Sequence, residues 1–503
     1  MILEYEIREG GSMWTKEKLK SLLKERIGDD MFVVVSNREP YVHKWKQGKL
    51  TVNKPASGLI TAMDPMLRAC DGVWIAHGSG SADRKVVDEK DRVRVPPGED
   101  LYTLRRVWLS KEDERGYYYG FSNGTFWPLC HIAFARPSFE AGDWESYKRV
   151  NRLFADAVLE EIGDKKAFVW IQDYHFALLP QMLKESRPDL LVAQFWHIPW
   201  PNPEIFRICP WAVEILNGLL GNDLLGFHIQ MHCDNFINTV ERHLEARVDR
   251  EKSTIFHHGG VGTKVLAFPI SVDDRMIGID VEKDYSQNDI VIDAMQALPS
   301  EYEHLAVGID RIDYTKGIPE RLRAVDRFLE KYPQMIGKFV YLQMGALSRI
   351  HIGLYKDLND EITKMTEEIN WKYGMDEWNP VVLLRRNLTY PEVLLFYKMA
   401  DICIVSSLHD GMNLVAKEFV SSRNDEDGVL MLSRFTGAAR ELEDNAVIIN
   451  PYDIEGFADA IYSAVTMPKS QRVEKMKKMR ELVAENNIYK WGASFISELA
   501  KLA

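Results

Sequence analysis

The chain has 503 residues, of which 46% are hydrophobic and 27% charged, and its 63 basic and 75 acidic side chains leave a formal net charge of −12. These fractions are typical of a globular protein and exclude a disordered, collagenous or coiled-coil chain. The acidic balance argues against a nucleic acid as the main partner, although it allows local basic pockets for small anions.

Hydropathy and cysteine usage further restrict the class of protein to which the chain can belong. No run of about 18 apolar residues occurs, so we expect no membrane-spanning helix and no membrane partner. The N-terminal segment MILEYEIREGGSMW carries early acids and no apolar core, so we expect no secretory signal. The five cysteines lie singly and form no C-x-x-C pair, which predicts neither a zinc site nor a disulfide framework. A cytoplasmic protein is expected.

The chain begins with a charged helical segment, predicted over residues 15–27. Apolar, β-branched runs that end at polar turns then recur, which is typical of buried parallel strands. These runs occupy residues 31–36, 73–76, 167–171, 191–196, 224–227, 264–268, 305–309, 338–344, 402–405, 429–432 and 446–449. Helical periodicity between them, as in residues 144–162 and 319–332, predicts an α/β fold with parallel sheets.

A polar, weakly periodic stretch at residues 270–288 separates the strands into two sets. We expect an N-terminal domain over 1–275, a C-terminal domain over 276–480, and a helix in 481–503 that crosses back to the N-terminal domain. Residues 79–100 are charged and contain Pro and Gly, which predicts an exposed excursion or hairpin. Ligands of such folds bind beyond the carboxyl ends of the strands, so we expect a site in the cleft.

Polar residues stand at several predicted strand ends of the first half. Arg38 follows the first strand, and Gly58 precedes a helix, where backbone N–H groups can approach a phosphate. A lone glycine before a helix is, however, more often part of an ordinary turn. Asp173 and His197 follow two adjacent strands, where a histidine can act as a general base or bind a hydroxyl. Residues 116–128 are rich in aromatics, which suit sugar stacking, but their spacing favours an aromatic core.

Candidate anion ligands follow the strands of the second half. Arg311 and Lys316 lie on one glycine-containing loop, where both can point at one diphosphate, with an Arg–Asp salt bridge as the equal alternative. Arg349 is a further candidate. The segment 406–419 opens a helix whose N-terminal amides can hold sugar hydroxyls and phosphates, and Glu418 in that helix can accept from a ribose. An ordinary capped helix start explains the same residues.

Together these segments resemble the trehalose-6-phosphate synthase family of retaining glycosyltransferases. The resemblance runs from about residue 32 to the C-terminus and rests on eight motifs in the family's order and spacing. They are SNR (36–38), FSN to WP (121–128), DYH (173–175), HIP-x-P (197–201), DR-x-DY-x-KG (310–317), SR (348–349), DGMNLVAKE (410–418) and NPYD (450–453). The resemblance implies the α/β GT-B fold, in which two Rossmann-like domains with parallel sheets face each other across a cleft.

The resemblance implies a nucleotide-glucose donor held mainly by the C-terminal half. Arg311 and Lys316 would hold its diphosphate, His197 would contact its glucose, Glu418 would bind its ribose, and Gly58 would approach from the other domain. The other implied donor contacts are Asp410, Gly411, Met412, Asn413, Leu414 and Val415. The residues expected to be catalytic are Arg311, Lys316, His197 and Asp410. The donor base stays open among UDP-, GDP- and ADP-glucose.

The resemblance also implies a sugar-phosphate acceptor, glucose 6-phosphate, on the N-terminal half. The residues implied around the acceptor are Arg38, His77, Tyr118, Trp127, Asp173 and Arg349. No cofactor and no metal are expected, because fixed cations and a helix N-terminus can stabilise the charge on the leaving diphosphate. No carboxylate nucleophile follows a predicted strand, so we expect front-face transfer with retained anomeric configuration.

Departures from the family pattern fall mostly on the acceptor side. The family's W-x-x-W reads W-I-A-H here and ends at His77, its F-H-Y-R reads C-H-I-A (130–133), and His409 replaces a common Arg. The stretch REPY (38–41) resembles glucosylglycerol-phosphate synthases. Glycerol 3-phosphate or another phosphorylated acceptor is therefore an alternative.

Two other functional classes, a regulatory subunit and an oxidoreductase, have less support. A non-catalytic regulatory subunit tends to lose buried charges, because nothing then offsets their desolvation cost, and this chain keeps its candidate ones. A Rossmann oxidoreductase is disfavoured because no G-x-G-x-x-G follows the first strand. We expect small-molecule partners only, with homo-oligomer formation left open.

Overall fold

The structure, a computed structural model, describes residues 13–55, 58–257, 261–285, 288–346, 353–386 and 389–502. The described strands are β1 (Met31–Arg38), β2 (Val42–Lys46), β3 (Lys49–Asn53), β4 (Val73–His77), β5 (Arg92–Val95), β6 (Tyr102–Val107), β7 (Ala167–Gln172), β8 (Leu191–Phe195), β9 (Leu224–Phe227), β10 (Arg247–Asp249), β11 (Thr254–His257), β12 (Val261–Ala267), β13 (His304–Ile309), β14 (Phe339–Met344), β15 (Val381–Leu384), β16 (Ile402–Val405), β17 (Val429–Ser433) and β18 (Val447–Ile449).

Helices cover both faces of the sheets. The described α-helices are α1 (Lys16–Ile27), α2 (Gly58–Cys70), α3 (Asp83–Val86), α4 (Lys111–Asp113), α5 (Trp127–His131), α6 (Ala141–Ile162), α7 (Leu179–Ser186), α8 (Pro203–Phe206), α9 (Ala212–Leu219), α10 (Gln230–His243), α11 (Asp274–Asp280), α12 (Asp289–Gln296), α13 (Ile318–Lys331), α14 (Gly353–Tyr373), α15 (Tyr390–Met399), α16 (Leu414–Ser422), α17 (Ala439–Leu442), α18 (Ile454–Val465), α19 (Lys469–Glu485) and α20 (Ile488–Ala500). Glu114–Phe126 is a π-helical segment that leads directly into α5.

Two sheets organise the chain. The larger has ten strands in the order β10-β11-β12-β9-β8-β7-β1-β4-β6-β5 and is parallel from β12 to β6. The smaller has six strands in the order β15-β14-β13-β16-β17-β18 and is parallel throughout. Strands β2 and β3 form a separate hairpin. The strand order reverses at β1/β7 in the large sheet and at β13/β16 in the small one, where open parallel sheets bind ligands.

All the predicted strands are present, as are the predicted helices. Thr15 caps α1, because its side chain accepts from the backbone N–H of Lys18. The prediction misses β2, β3, β6, β10, β11 and β15. These strands are short, or they alternate apolar and charged residues, so their sequences lack the continuous apolar run of a strand that is buried on both faces.

Most of the segment 79–100 is exposed, as predicted, and its last part contributes one strand of a hairpin. Strand β5 pairs antiparallel with β6, as a hairpin requires. Ala82 and Asp83, however, are fully buried. The cause is an ion pair, because Arg106 on β6 lies 2.9 Å from the Asp83 carboxylate and draws this part of the segment into the protein.

The aromatic segment forms the core that its spacing favours. The ring of Phe121 lies within 5 Å of three others, with centroid distances of 4.9 Å to Phe126, 4.9 Å to Trp144 and 4.6 Å to Tyr147. A Cβ added at Gly120 would lie 2.2 Å from the carboxylate of Asp143, so the π-helical segment packs tightly against α6. This packing carries Trp127, at the start of α5, to the cleft between the sheets.

The last helix, α20, packs against the large sheet. Trp491 and Phe495 stack on Trp170 of β7, with ring centroids 5.3 and 4.2 Å away. Lys264 on β12 forms a 2.8 Å ion pair with Glu498. The C-terminus thus helps to cover a sheet built from the first half of the chain.

Candidate active site

Predicted site residues follow the four strands at which the strand order reverses. Arg38 ends β1, Asp173 follows β7, Arg311 follows β13, and the loop after β16 carries Asp410. Carboxyl ends of parallel strands share one edge of a sheet, so each sheet collects its polar residues there. The structure brings these two edges together.

Trp127 is the main contact between the two edges. Its indole Nε1–H donates to Asp313 Oδ1 at 3.3 Å. The guanidinium of Arg311 lies 5.5 Å from its ring centroid, within cation–π range. A residue predicted to hold the acceptor therefore touches a residue predicted to hold the donor diphosphate.

Lys316 and Asp410 form a partly buried ion pair on the small-sheet side, with Lys316 Nζ 2.5 Å from Asp410 Oδ2. Burial opposes the charge of Lys316, but Asp410, Asp310 and Asp313 together raise its pKa above the ordinary value. Burial likewise opposes the charge of Asp410, yet Lys316 and a bond from Asn413 hold its pKa well below the usual range. Both groups are therefore charged near neutral pH, and the ammonium is fixed in the cleft.

His197 lies on the large-sheet side with its ring held by Gln172. The distance from His197 Nε2 to Gln172 Oε1 is 2.9 Å, so Nε2–H donates and Nδ1 is left as an acceptor. Its backbone N–H donates to Asp173 Oδ1 at 3.2 Å. Burial lowers the pKa of His197 to about 3, so the ring is neutral near pH 7. Such a ring can bind a sugar hydroxyl.

The turn of residues 410–413, which precedes α16, packs closely against His197. A Cβ added at Gly411 would lie 2.4 Å from the carbonyl oxygen of His197, so only glycine fits this approach. Met412 is buried behind the turn, and Leu414 and Val415 begin α16. Asn413 caps the helix by accepting from the N–H of Ala416 at 3.3 Å. The capped helix start that the residues predict is therefore present, and its N-terminus points into the cleft region.

Two predicted site residues have left-handed backbone conformations. Asp173 has a φ of 73° and Asn413 a φ of 77°. Side chains other than glycine rarely adopt these angles, and such strain concentrates at functional sites. Both residues lie directly at the ends of strands or turns that face the cleft.

Glu418 lies in the second turn of α16. Its Oε2 accepts from the hydroxyl of Tyr397 at a long 3.5 Å. Burial raises the pKa of Glu418 to about 7. A carboxylate with this weak partner can accept hydrogen bonds from a ligand's hydroxyls.

Three further predicted acceptor residues, Arg38, His77 and Tyr118, belong to the large-sheet half of the chain. Arg38 is exposed and pairs in register with His77 across β1 and β4. Nδ1 of His77 lies 3.2 Å from the carbonyl of Val107, and burial lowers the pKa of its imidazole. Tyr118 stacks on His175 with ring centroids 5.8 Å apart. Arg349 lies outside the described residues, and Gly58 begins α2.

Several contacts that shape the site escape sequence analysis. Arg321 in α13 is fully buried and holds Asp310 at 2.8 Å and Ser406 at 2.9 Å, so it joins the loops after β13 and β16. Lys417 is buried and donates to the carbonyl of Ile270 at 2.9 Å. Both cations lie inside amphipathic helices, where a charged residue normally faces solvent, so the sequence has no signal for their burial.

Three structural findings concern the described part of the chain as a whole. In the residues that the structure describes, no three or more His, Cys, Asp or Glu side chains are grouped so that they can hold a metal ion. Across the same described ranges, the helices are too short or too polar to span a membrane. The five cysteines carry free thiols.

Comparison with known proteins shows which protein family the chain matches. Glycosyltransferase family 20 matches residues 30–501. The trehalose-6-phosphate synthase of Mycobacterium avium is 37% identical over 483 residues, covering 94% of this chain and 96% of the relative. The synthase of Mycobacterium leprae is 37% identical over 486 residues, covering 95% and 96%.

Solved structures share the fold. An E. coli structure with bound UDP-2-fluoro glucose has a TM-score of 0.82 at 31% identity, over 94% of this chain and 99% of that chain. A UDP-forming α,α-trehalose-phosphate synthase from Burkholderia xenovorans, in complex with glucose-6-phosphate, has a TM-score of 0.80 at 29% identity, over 93% and 99%.

These findings define a nucleotide-sugar glycosyltransferase with the predicted α/β GT-B fold. The chain belongs to glycosyltransferase family 20. The suspected resemblance to the trehalose-6-phosphate synthases is thereby confirmed.

Proposed function

We propose that the enzyme transfers glucose from UDP-glucose to glucose 6-phosphate and forms α,α-trehalose 6-phosphate. The observation that carries this function is the contact between Arg311 and Trp127, which joins a donor-side cation to an acceptor-side aromatic across the cleft. Relatives of this activity cover nearly the whole chain, and neighbouring structures hold a UDP-sugar analogue or glucose-6-phosphate.

We assign the donor to the small-sheet edge. Arg311 and Lys316 hold the diphosphate, and Glu418 takes the ribose. As the bond from glucose to phosphate breaks, negative charge grows on the leaving phosphate oxygen, and these fixed cations stabilise it. Asp410 keeps Lys316 protonated and in place, so little reorganisation is needed at the moment of reaction. Gly58 at the start of α2 approaches the diphosphate from the opposite sheet.

We assign the glucose of the donor to the space between His197 and the turn of residues 410–413. The neutral His197 ring offers Nδ1 as an acceptor for a sugar hydroxyl. In this scheme the leaving phosphate oxygen accepts the proton of the attacking hydroxyl on the same face, which retains the anomeric configuration. The tight contact between Gly411 and His197 excludes water and limits hydrolysis of the donor.

We assign the acceptor to the large-sheet edge. Arg38 and Arg349 take its phosphate, and the sugar ring lies among His77, Tyr118, Trp127 and Asp173. The two sheets act as two domains, divided at about residue 275, that close on the substrates. Metal-independent transfer and cytoplasmic location stay predictions, and homo-oligomer formation stays open.

A product assay tests this function. The enzyme is incubated with UDP-, GDP- or ADP-glucose and with glucose 6-phosphate or glycerol 3-phosphate, and products are identified by mass spectrometry. We expect trehalose 6-phosphate and UDP from the UDP-glucose and glucose 6-phosphate pair. If product forms only with glycerol 3-phosphate, the assignment of glucose 6-phosphate as the acceptor is wrong. If no pair of substrates releases a nucleoside diphosphate, the assignment of the protein as an enzyme is wrong.

A further inference from the structure

A buried charge network lies behind the predicted acceptor residues. Arg106 on β6 is 1% exposed and donates through Nε to Glu39 Oε2 at 2.8 Å and through Nη2 to the carbonyl of Tyr41 at 3.0 Å. The same Nη2 lies 2.9 Å from Asp83 Oδ1. Glu39 and Asp83 are 2% and 0% exposed. One guanidinium and two carboxylates are thus withdrawn from water, at a cost that a folding role alone does not require.

His43 completes this network. Its Nδ1 lies 2.8 Å from Arg106 Nη2. Because a guanidinium can only donate, Nδ1 accepts, and the ring proton of the neutral imidazole is on Nε2. Burial and the hydrogen bond to Asp83 raise the pKa of Glu39 to about 7, although the charge of Arg106 opposes this shift.

Glu39 ties together two strand ends. It follows Arg38 in the chain, and its Oε1 accepts from the backbone N–H of Ser79 at 2.9 Å and from the Ser79 hydroxyl at 3.1 Å. Ser79 comes two residues after His77, which pairs in register with Arg38. One carboxylate therefore bridges the segments that carry both predicted acceptor residues, and Arg106 holds that carboxylate from behind.

The excursion at 79–83 is fastened to the same place. Asp83 Oδ1 accepts from the backbone N–H of His43 at 2.8 Å, and the N–H of Ala82 donates to the carbonyl of His43 at 3.0 Å. A Cβ added at Gly80 would lie 2.2 Å from that carbonyl. These contacts attach residues 80–83 directly to β2.

We propose that Glu39 and Arg106 are positioning residues that set the placement of Arg38 and His77 and thereby the affinity for the phosphorylated acceptor. This inference rests on the proposed acceptor site. Guanidinium recognition of a phosphate depends on the direction of its fork of N–H donors, so a small shift of the strand end weakens it. Most of the assigned donor ligands follow strands of the small sheet, so we expect the donor affinity to change little.

Kinetics of three variants test the proposal. We expect Glu39→Ala to raise the KM for glucose 6-phosphate about tenfold, since misplacement by about 1 Å can cost up to 10²-fold. The KM for UDP-glucose stays within about twofold, because most of its assigned ligands, among them Arg311, Lys316 and Glu418, follow strands of the other sheet. Glu39→Gln keeps an acceptor for Ser79 and restores most of the acceptor affinity. Glu39→Asp keeps the carboxylate but has a shorter side chain, so we expect it to raise the acceptor KM as well. This variant keeps the proposal testable if the alanine variant folds poorly.

A matched control separates positioning from stability. Glu498 is a buried carboxylate paired with Lys264 on the same sheet, far from the acceptor end. Glu498→Ala lowers the melting temperature and leaves the acceptor KM unchanged. An unchanged acceptor KM in Glu39→Ala and Glu39→Asp, or an equal rise in both KM values, overturns the inference. If Arg38→Ala leaves the acceptor KM unchanged, the proposed acceptor site itself is wrong.

Discussion

The ion pair of Lys316 and Asp410 shows how single side chains prepare the cleft for an anion. The ammonium is partly buried and is held at 2.5 Å by a carboxylate that accepts further bonds from Ser407 and Asn413. Its position is therefore set before any ligand arrives, and preorganised charge of this kind contributes strongly to catalysis.

Removal of either diphosphate cation should slow turnover. We expect Lys316→Ala and Arg311→Ala each to lower kcat about 10²-fold, because a fixed charge at the leaving group contributes about 3 kcal/mol to transition-state stabilisation. Steady-state kinetics with saturating substrates measure this. Lys372→Ala, at an exposed lysine paired with Asp326, is the control and keeps full activity. If either substitution leaves kcat unchanged, the substituted residue has no role at the diphosphate.

Glu418 makes stability depend on pH. Its pKa is raised by burial from 4.5 to about 7 in the folded protein. The native state therefore binds this proton more tightly than the unfolded state, and the associated stability is lost as the pH rises from 4.5 to 7. We expect Glu418→Gln, which cannot ionise, to gain in melting temperature relative to the wild type between pH 5 and pH 8.

Thermal unfolding at those two pH values checks the Glu418 prediction. The exposed Glu367, on the outer face of α14, supplies the control variant Glu367→Gln, whose difference from the wild type stays constant. A constant difference for Glu418→Gln as well contradicts the prediction.

At the scale of elements, the C-terminal helix α20 is bound to the large sheet by aromatic stacking. Trp491 is 3% exposed and lies against Trp170 and Phe195, at 5.3 and 5.1 Å between ring centroids. Burial of large aromatic rings dominates such contacts. Helix α20 therefore stabilises β7 and β8, two central strands of the large sheet.

Truncation of this anchor should destabilise the whole fold. We expect Trp491→Ala to lower the free energy of unfolding by about 3–5 kcal/mol, the usual cost of a large aromatic-to-alanine change in a core. Denaturant titration measures it. Trp371→Ala is the matched control, because Trp371 is 90% exposed, and its change stays within about 0.5 kcal/mol. Equal effects of the two substitutions would contradict the role of α20.

At the scale of the whole molecule, the two sheets meet through contacts that leave little space. Gly411 faces the carbonyl of His197, and the His409 ring lies 2.8 Å from the carbonyl of His131. Both contacts join the small-sheet turn after β16 to the large-sheet edge. Closure of the cleft thus depends on how closely the backbones of the two sides approach each other. The chemistry of the side chains alone does not reveal this.

A methyl group at this contact should hold the cleft open. We expect Gly411→Ala to lower kcat at least about tenfold with little change in melting temperature, because the added Cβ forces apart the groups that must enclose the donor. Kinetics and small-angle X-ray scattering report activity and closure. Gly142→Ala is the control, since Gly142 lies in α6 with nothing within 4 Å of an added Cβ. Wild-type activity in Gly411→Ala would falsify a need for this close approach.

The sequence by itself determined the order and type of the elements and the residues at the strand ends. Buried parallel strands need continuous apolar runs, and helices need a 3.6-residue period, so local patterns contain this information. Strands with mixed polarity, such as β2 and β6, lack such a pattern and were missed.

Only the tertiary structure decided which residues meet. The placement of β1 beside β7 and of β13 beside β16 brings Arg38, Asp173, Arg311 and Asp410 to facing edges. The burial of Arg106 depends on carboxylates at Glu39 and Asp83, which lie 67 and 23 residues away in the chain. No local period records pairings over such separations, because they follow from sheet order and from the need to compensate buried charge.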